Sequence, residues 1–256
     1  MSILKSFDLS GHHALVTGSS RGIGKSIALA LAEAGAAVTL HGTKPGSVME
    51  STLNEMKERE FRCSAVYGNL ADPDVPGRII PEAKEKLGPI DILVINASVQ
   101  YRREWESISA EEAMEQLQVN LIASLQLIQG VVSDMQSRKW GRVLVIGSVQ
   151  QYLPNPKMAI YAASKSGLSN LVRNLAKQLA PEGITVNNLA PGVILTDRNQ
   201  EALADEAYAD KVRQLVPARR FADPRECAAA ALLLCSDAGS YINGIDLPVD
   251  GGMHLP

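Results

Sequence analysis

At 256 residues, with 46% apolar and 21% charged side chains, the chain has the composition of a soluble globular protein and room for one large α/β domain or two small ones. A net charge of −3 offers no basic footprint for nucleic acid. No apolar stretch reaches the roughly 18 residues that span a bilayer, and the leading MSILKSFDLSGHH lacks the apolar core and small-residue cleavage site of a signal peptide.

Short apolar runs then alternate with helix-length segments. HHALVTG (12–18) reads as a first strand and GIGKSIALALAEAG (22–35) as a helix ended by Gly35. AAVTLHG (36–42) is a second strand, followed by the helical SVMESTLNEMKERE (47–60). FRCSAVYG (61–68) and PIDILVIN (89–96) are the third and fourth strands, and between them Pro76 can open a helix that Pro81 would kink or delay. A long helix is expected from Ser109 to Arg138, a fifth strand at GRVLVIGS (141–148) and another long helix from about Met158 to Ala180. GITVNNLAPG (183–192), a helix from Pro224 to Ser236 and GIDLPVDGG (244–252) complete the series.

The strands are continuous apolar runs, as in a parallel sheet covered on both faces. Repeated β-α units predict a right-handed, doubly wound α/β domain of the Rossmann type, with about seven parallel strands and helices on both faces. No linker or repeat divides the chain, so residues 1–256 read as one domain, with a substrate lid at about 192–223. Cys63, Cys227 and Cys235 are odd in number and far apart. They suit neither a disulfide framework nor a metal site, so reduced thiols and a cytoplasmic location are expected.

In such a fold the first strand-to-helix turn lies where ligands bind. Here it is Thr17-Gly18-Ser19-Ser20-Arg21-Gly22-Ile23-Gly24. Bare backbone lets N–H groups approach a pyrophosphate, and the helix beginning near Gly22 adds its positive dipole end. Glycines can also serve a tight turn alone, and the placement between the first strand and first helix favours binding.

Further along, Asn96-Ala97 follows the fourth strand, Asn120 lies in the next long helix, and Ser148 ends the fifth strand. Tyr161-x-x-x-Lys165 and Pro191-Gly192 come next. In this order the motifs resemble those of the short-chain dehydrogenase/reductase family, and the resemblance covers the whole chain. Tyr161 and Lys165, four apart, share a helix face. A free tyrosine is a poor base at neutral pH, and a neighbouring ammonium favours its phenolate. Tyr161 can then move a proton on a substrate oxygen that Ser148 orients by a hydrogen bond. The resemblance implies that Lys165 also holds the nicotinamide ribose and that Asn120 anchors a water relaying protons to Lys165. Seen singly, a Tyr-x-x-x-Lys pair is a packing pair, and a buried asparagine or a strand-ending serine is structural. The ordered set points to an enzyme. A binding module without catalysis would be expected to lose the proton-transfer groups, and this chain keeps them.

An acidic residue at the end of the second strand would accept from a ribose 2′-hydroxyl and repel a 2′-phosphate, and that position falls on Gly42. Thr43, Lys44 and Arg21 form instead a cradle for phosphate, so NADP is expected over NAD. The resemblance extends the cofactor-binding set to Gly18, Ser20, Gly22, Ile23, Gly24, Asn69, Leu70, Asn96, Tyr161, Lys165, Pro191, Gly192 and Thr196. Two positions depart from the family pattern. Ser98 replaces a glycine after the fourth strand, and Asn69 replaces an aspartate, keeping a carbonyl for the adenine amino group.

For the substrate, Arg102, Arg103, Ser148 and Gln150 suit a hydroxylated or carboxylated small molecule. They resemble the sugar-acid dehydrogenases of the family, such as gluconate 5-dehydrogenase. Both arginines could instead pair with Glu104 and Glu106. The alternative is a 3-oxoacyl (acyl-carrier-protein) reductase, which needs a basic docking surface that Arg138, Lys139 and Arg142 could supply. The helix before them carries Glu111, Glu112 and Glu115. The family resemblance also implies a homotetramer, with which the apolar positions of 121–128 are consistent, as they are with packing on the sheet.

Overall fold

Seven strands pair in parallel in one sheet of order β3-β2-β1-β4-β5-β6-β7. They are β1 (His13–Val16), β2 (Ala37–Gly42), β3 (Cys63–Tyr67), β4 (Ile92–Ile95), β5 (Gly141–Ile146), β6 (Ile184–Pro191) and β7 (Asp246–Val249). The computed structural model describes residues 2–197, 199 and 203–256. Arg198 and residues 200–202 of the expected lid lie outside the described residues.

Adjacent residues on a strand feed opposite cores. Leu15, Leu93, Val145 and Val186 pack on one face, with Ile79, Leu127, Leu168 and Val172. Val16, Val38, Val94 and Leu144 pack on the other, with Ile27, Leu31, Cys227 and Ala231. Both halves of the period-two alternation are therefore apolar, which is why the strands read as unbroken runs. The first core is closed by α3 (Val75–Leu87), α5 (Ala123–Arg138) and α6 (Ala159–Leu179), the second by α1 (Gly22–Glu33), α2 (Ser47–Glu58) and α8 (Pro224–Cys235). α8 opens on a capping box, Asp223 with Glu226, and carries Pro224 in its first turn.

Two helices differ from the expectation. Pro76 sits in the first turn of α3 and Pro81 inside it. The carbonyl of Gly77, which Pro81 leaves without its N–H, belongs to an exposed residue that water can satisfy. The helix expected over 109–138 is broken: α4 (Ala110–Leu117) passes into a π-helical turn, Gln118–Ile122, before α5. Such turns gather at functional sites, and this one contains Asn120.

Cys227 and Cys235 are buried free thiols, pushed up to about 12 by desolvation. Among the described residues no helix is long and apolar enough to cross a membrane. β1 and β4 are neighbours although β2 and β3 intervene in the chain, so the strand order reverses between them. The crevice at their carboxyl ends is where this topology places a ligand.

Candidate active site

A cavity of about 510 Å³ opens there, lined by the glycine turn, the ends of β2, β4, β5 and β6, the start of α6 and α7 (Glu206–Gln214). Gly18 and Gly22 have φ of +62° and +59°, a region costly for other residues. Gly24 serves close approach instead, since a Cβ there would lie 2.4 Å from the Gly18 carbonyl oxygen. Arg21 precedes α1 without a side-chain cap, and the first turn carries no acidic residue. The α1 N-terminus thus brings N–H groups and positive dipole to a cavity edge formed by Gly18, Ser20, Arg21, Gly22 and Ile23. That cradle fits a pyrophosphate.

Asn96 holds the turn from beneath. Its Nδ2 donates to the Thr17 and Gly18 carbonyls at 3.0 and 2.8 Å, while Asn96 N and Ala97 N donate to Thr17 Oγ1. His41 is a support that sequence reading missed. Gly18 N donates to His41 Nδ1 at 3.2 Å, which makes Nδ1 the acceptor and leaves Nε2–H to donate to Gly68 O at 3.0 Å. An apolar strand with one histidine gave no signal for this. Burial pushes His41 down to about 4, so it stays neutral. The unfolded chain, with a histidine near 6.5, binds the proton first as pH falls. Stability is therefore full above 6.5 and is lost towards 4, by about 1.4 kcal/mol per pH unit from this residue. Urea unfolding from pH 7 to pH 4.5 should show that slope lessened in His41→Gln; an unchanged slope would refute the assignment.

Of the expected phosphate cradle, Arg21 and Thr43 line the cavity and the exposed Lys44 does not. Arg21 Nη1 lies 3.4 Å from Asp197 Oδ2 across the mouth. Asn69 is exposed, with its Oδ1 accepting from Ala71 N, and Leu70 is buried in the core; neither lines the cavity. Ser98, Pro191, Gly192 and Thr196 line it. A Cβ at Gly192 would lie 2.7 Å from Asp250 Cβ, so this turn also needs its glycine.

Ser148, Tyr161 and Lys165 meet on the cavity wall, all buried. Lys165 Nζ donates to Ile146 O at 2.7 Å and lies 5.6 Å from the centre of the Tyr161 ring. Asn120, fully buried, stands behind them rather than on the wall. Its Oδ1 accepts from Val99 N, and its Nδ2 donates to Val99 O and to Ser164 Oγ on α6. Asn120 O accepts from Ser124 Oγ at 3.0 Å. The residue therefore ties the loop after β4 to α6.

Arg102 and Gln150 line the substrate end, where Arg102 Nη2 meets Tyr208 Oη of α7 at 3.4 Å. Arg103 is placed outside the cavity, with its guanidinium on Glu112, while Glu104 pairs with Lys157. Met158, Val212, Leu215 and Met253 add apolar surface, so this end is amphipathic.

Residues 18–254 match the family model described as enoyl-(acyl carrier protein) reductase. Gluconate 5-dehydrogenase of Gluconobacter oxydans (strain 621H) is 35% identical over 249 residues, 97% of each chain. Among solved structures, a gluconate 5-dehydrogenase from Burkholderia cenocepacia J2315 in complex with NADP and tartrate matches the full length of both chains, with a TM-score of 0.93 and 33% identity. A 3-oxoacyl (acyl-carrier-protein) reductase from Agrobacterium tumefaciens C58 with NADP bound gives the same TM-score at 38% identity, covering 98% of this chain and 97% of that one.

Proposed function

The chain belongs to the short-chain dehydrogenase/reductase family, and on that footing we propose that it interconverts a secondary alcohol and a ketone on a small polar substrate, a sugar, sugar acid or polyol, using NADP in preference to NAD. When bound, the nicotinamide supplies or takes the hydride. The protein handles the oxygen. Tyr161 Oη gives a proton to that oxygen in reduction and takes it in oxidation. The Lys165 charge beside the ring stabilises the phenolate left behind. Ser148 donates a hydrogen bond to the same oxygen and orients the reacting carbon.

One observation carries the choice of substrate. Arg138, Lys139 and Arg142, the cations that could dock an acidic carrier protein, cluster at the start of β5, the opposite end of the sheet from the cavity. Each also faces a carboxylate: Asp91, Glu182 and Asp237 respectively. At the cavity itself stand Arg102 and Gln150, groups that suit a carboxylate and hydroxyls. NADPH consumption with 5-ketogluconate and other keto-sugars, compared with an acetoacetyl thioester, tests the reading. Turnover of the thioester alone would overturn it in favour of acyl reduction.

The preference for NADP rests on Gly42 in place of a carboxylate and on Arg21 at the cavity edge, and both structural relatives above hold NADP. Arg21→Ala should weaken NADPH binding about tenfold and NADH binding little, since only the former carries the charge that the guanidinium meets. Equal weakening of both in a fluorescence titration would refute the role. A homotetramer and a cytoplasmic location belong to the same reading. Trp105, Met114 and Ile122 are exposed around α4 and its π turn, and Tyr241 and Ile245 before β7, whereas Leu127 and Ile128 belong to the core. Sedimentation equilibrium measures the assembly.

A further inference from the structure

Behind Ser148 a line of buried polar groups runs through the sheet where apolar packing would be the default. Asp246 on β7 sits at its end, with side chain 9% exposed. Its Oδ1 accepts from Asn188 Nδ2 at 2.7 Å, and its carboxylate also accepts from Ser169 Oγ and pairs with Arg173. Asn188, fully buried on β6, gives its second Nδ2 proton to Gln151 Oε1 at 3.0 Å. That oxygen accepts from Ser148 N at 3.4 Å, closing a capping box in which Gln150 N donates to Ser148 Oγ at 3.2 Å. Gly147 admits the line, because a Cβ there would lie 2.5 Å from both Asn188 Oδ1 and Gln151 Oε1.

A carboxylate can only accept, whereas an amide can turn either end to a neighbour. Asp246 therefore obliges Asn188 to present nitrogen, and the nitrogen obliges Gln151 to present oxygen to Ser148 N–H. Gln150 N–H occupies one lone pair of Ser148 Oγ, and the hydroxyl keeps its O–H and a second lone pair for the cavity that it lines. We propose that Gln151, Asn188 and Asp246 are positioning residues whose fixed donor–acceptor polarity holds the Ser148 backbone, and with it the hydroxyl, in place to donate to the substrate oxygen. The line leaves Asn188 Oδ1 without a protein partner among the described residues. Buried polar atoms left this way cost stability, as expected of a device kept for the site rather than for the fold. Burial opposes the charge of Asp246, but hydrogen bonds from Asn188 and Ser169, with Arg173 beside them, hold its carboxyl below the usual range. The accepting end of the line stays ionised at neutral pH.

The inference rests on the reading of Ser148 as the donor, and the test separates the two. Asn188→Leu is nearly isosteric and breaks the line, while Asp246→Asn removes the obligatory acceptor. Each should lower kcat about tenfold with NADPH binding unchanged, the size expected when a catalytic group loses its fixed orientation. The double variant should be no slower than either single one, because all act through one orientation. A merely structural role predicts a lower Tm with unaltered kcat, and leucine in that buried place need not lower Tm at all. Kinetics would use whichever of 5-ketogluconate or acetoacetyl thioester the parent reduces. Amide exchange needs no substrate, and the amides of Ser148 and Gln150 should exchange faster in Asn188→Leu. Unchanged exchange and a kcat within twofold of the parent would overturn the proposal. If Ser148→Ala itself kept full turnover, the reading of Ser148 would fall, and not only its positioning.

Discussion

Replacing Tyr161 by Phe is expected to lower kcat by about a hundredfold or more while NADPH binds within about twofold of the parent. The change removes one oxygen and leaves a ring of the same shape in its buried place beside Lys165. A hundredfold corresponds to about 2.7 kcal/mol of transition-state stabilisation, lost from proton transfer and not from binding. Turnover in Tyr161→Phe equal to the parent would remove Tyr161 from the chemistry. A large rise in the NADPH dissociation constant would instead make it a binding group.

Gly24→Ala should strike the other half of the site. The added methyl would lie 2.4 Å from Gly18 O and 2.5 Å from Asn96 Nδ2. Asn96 is what pins the glycine turn to the end of β4, so it cannot give way without moving Thr17 and Gly18. Overpacking of this kind costs roughly 1–3 kcal/mol, and the displaced turn should weaken NADPH binding at least about tenfold. Gly77→Ala is the control, because nothing lies within 4 Å of a Cβ there. Fluorescence titration of both variants decides the matter, and parent-like binding by Gly24→Ala would mean that the turn can shift without cost.

Much of the molecule was legible in the amino-acid order. All seven strands fall within the expected segments, because apolar runs of four to eight residues between glycines and prolines permit little else. The glycine turn and the Tyr161–Lys165 pair were legible for a related reason. Their spacing is local, and a strand-turn-helix or one helical turn converts it directly into geometry.

What the sequence left open was decided by contacts between distant segments. Arg102 and Arg103 are chemically alike, and only the position of α4 directs Arg103 to Glu112 while Arg102 stays on the cavity wall. Arg138, Lys139 and Arg142 lie close together in the sequence, and the fold sets them by the start of β5, each beside a carboxylate, Asp91, Glu182 and Asp237. His41 sits 23 residues from the Gly18 amide that it accepts, and Asp246 lies 58 from Asn188. Local pattern carries the period of a helix or strand because that period is a property of the backbone. Which buried donor meets which acceptor is a property of the packed sheet, where parallel strands bring together residues that the chain keeps far apart.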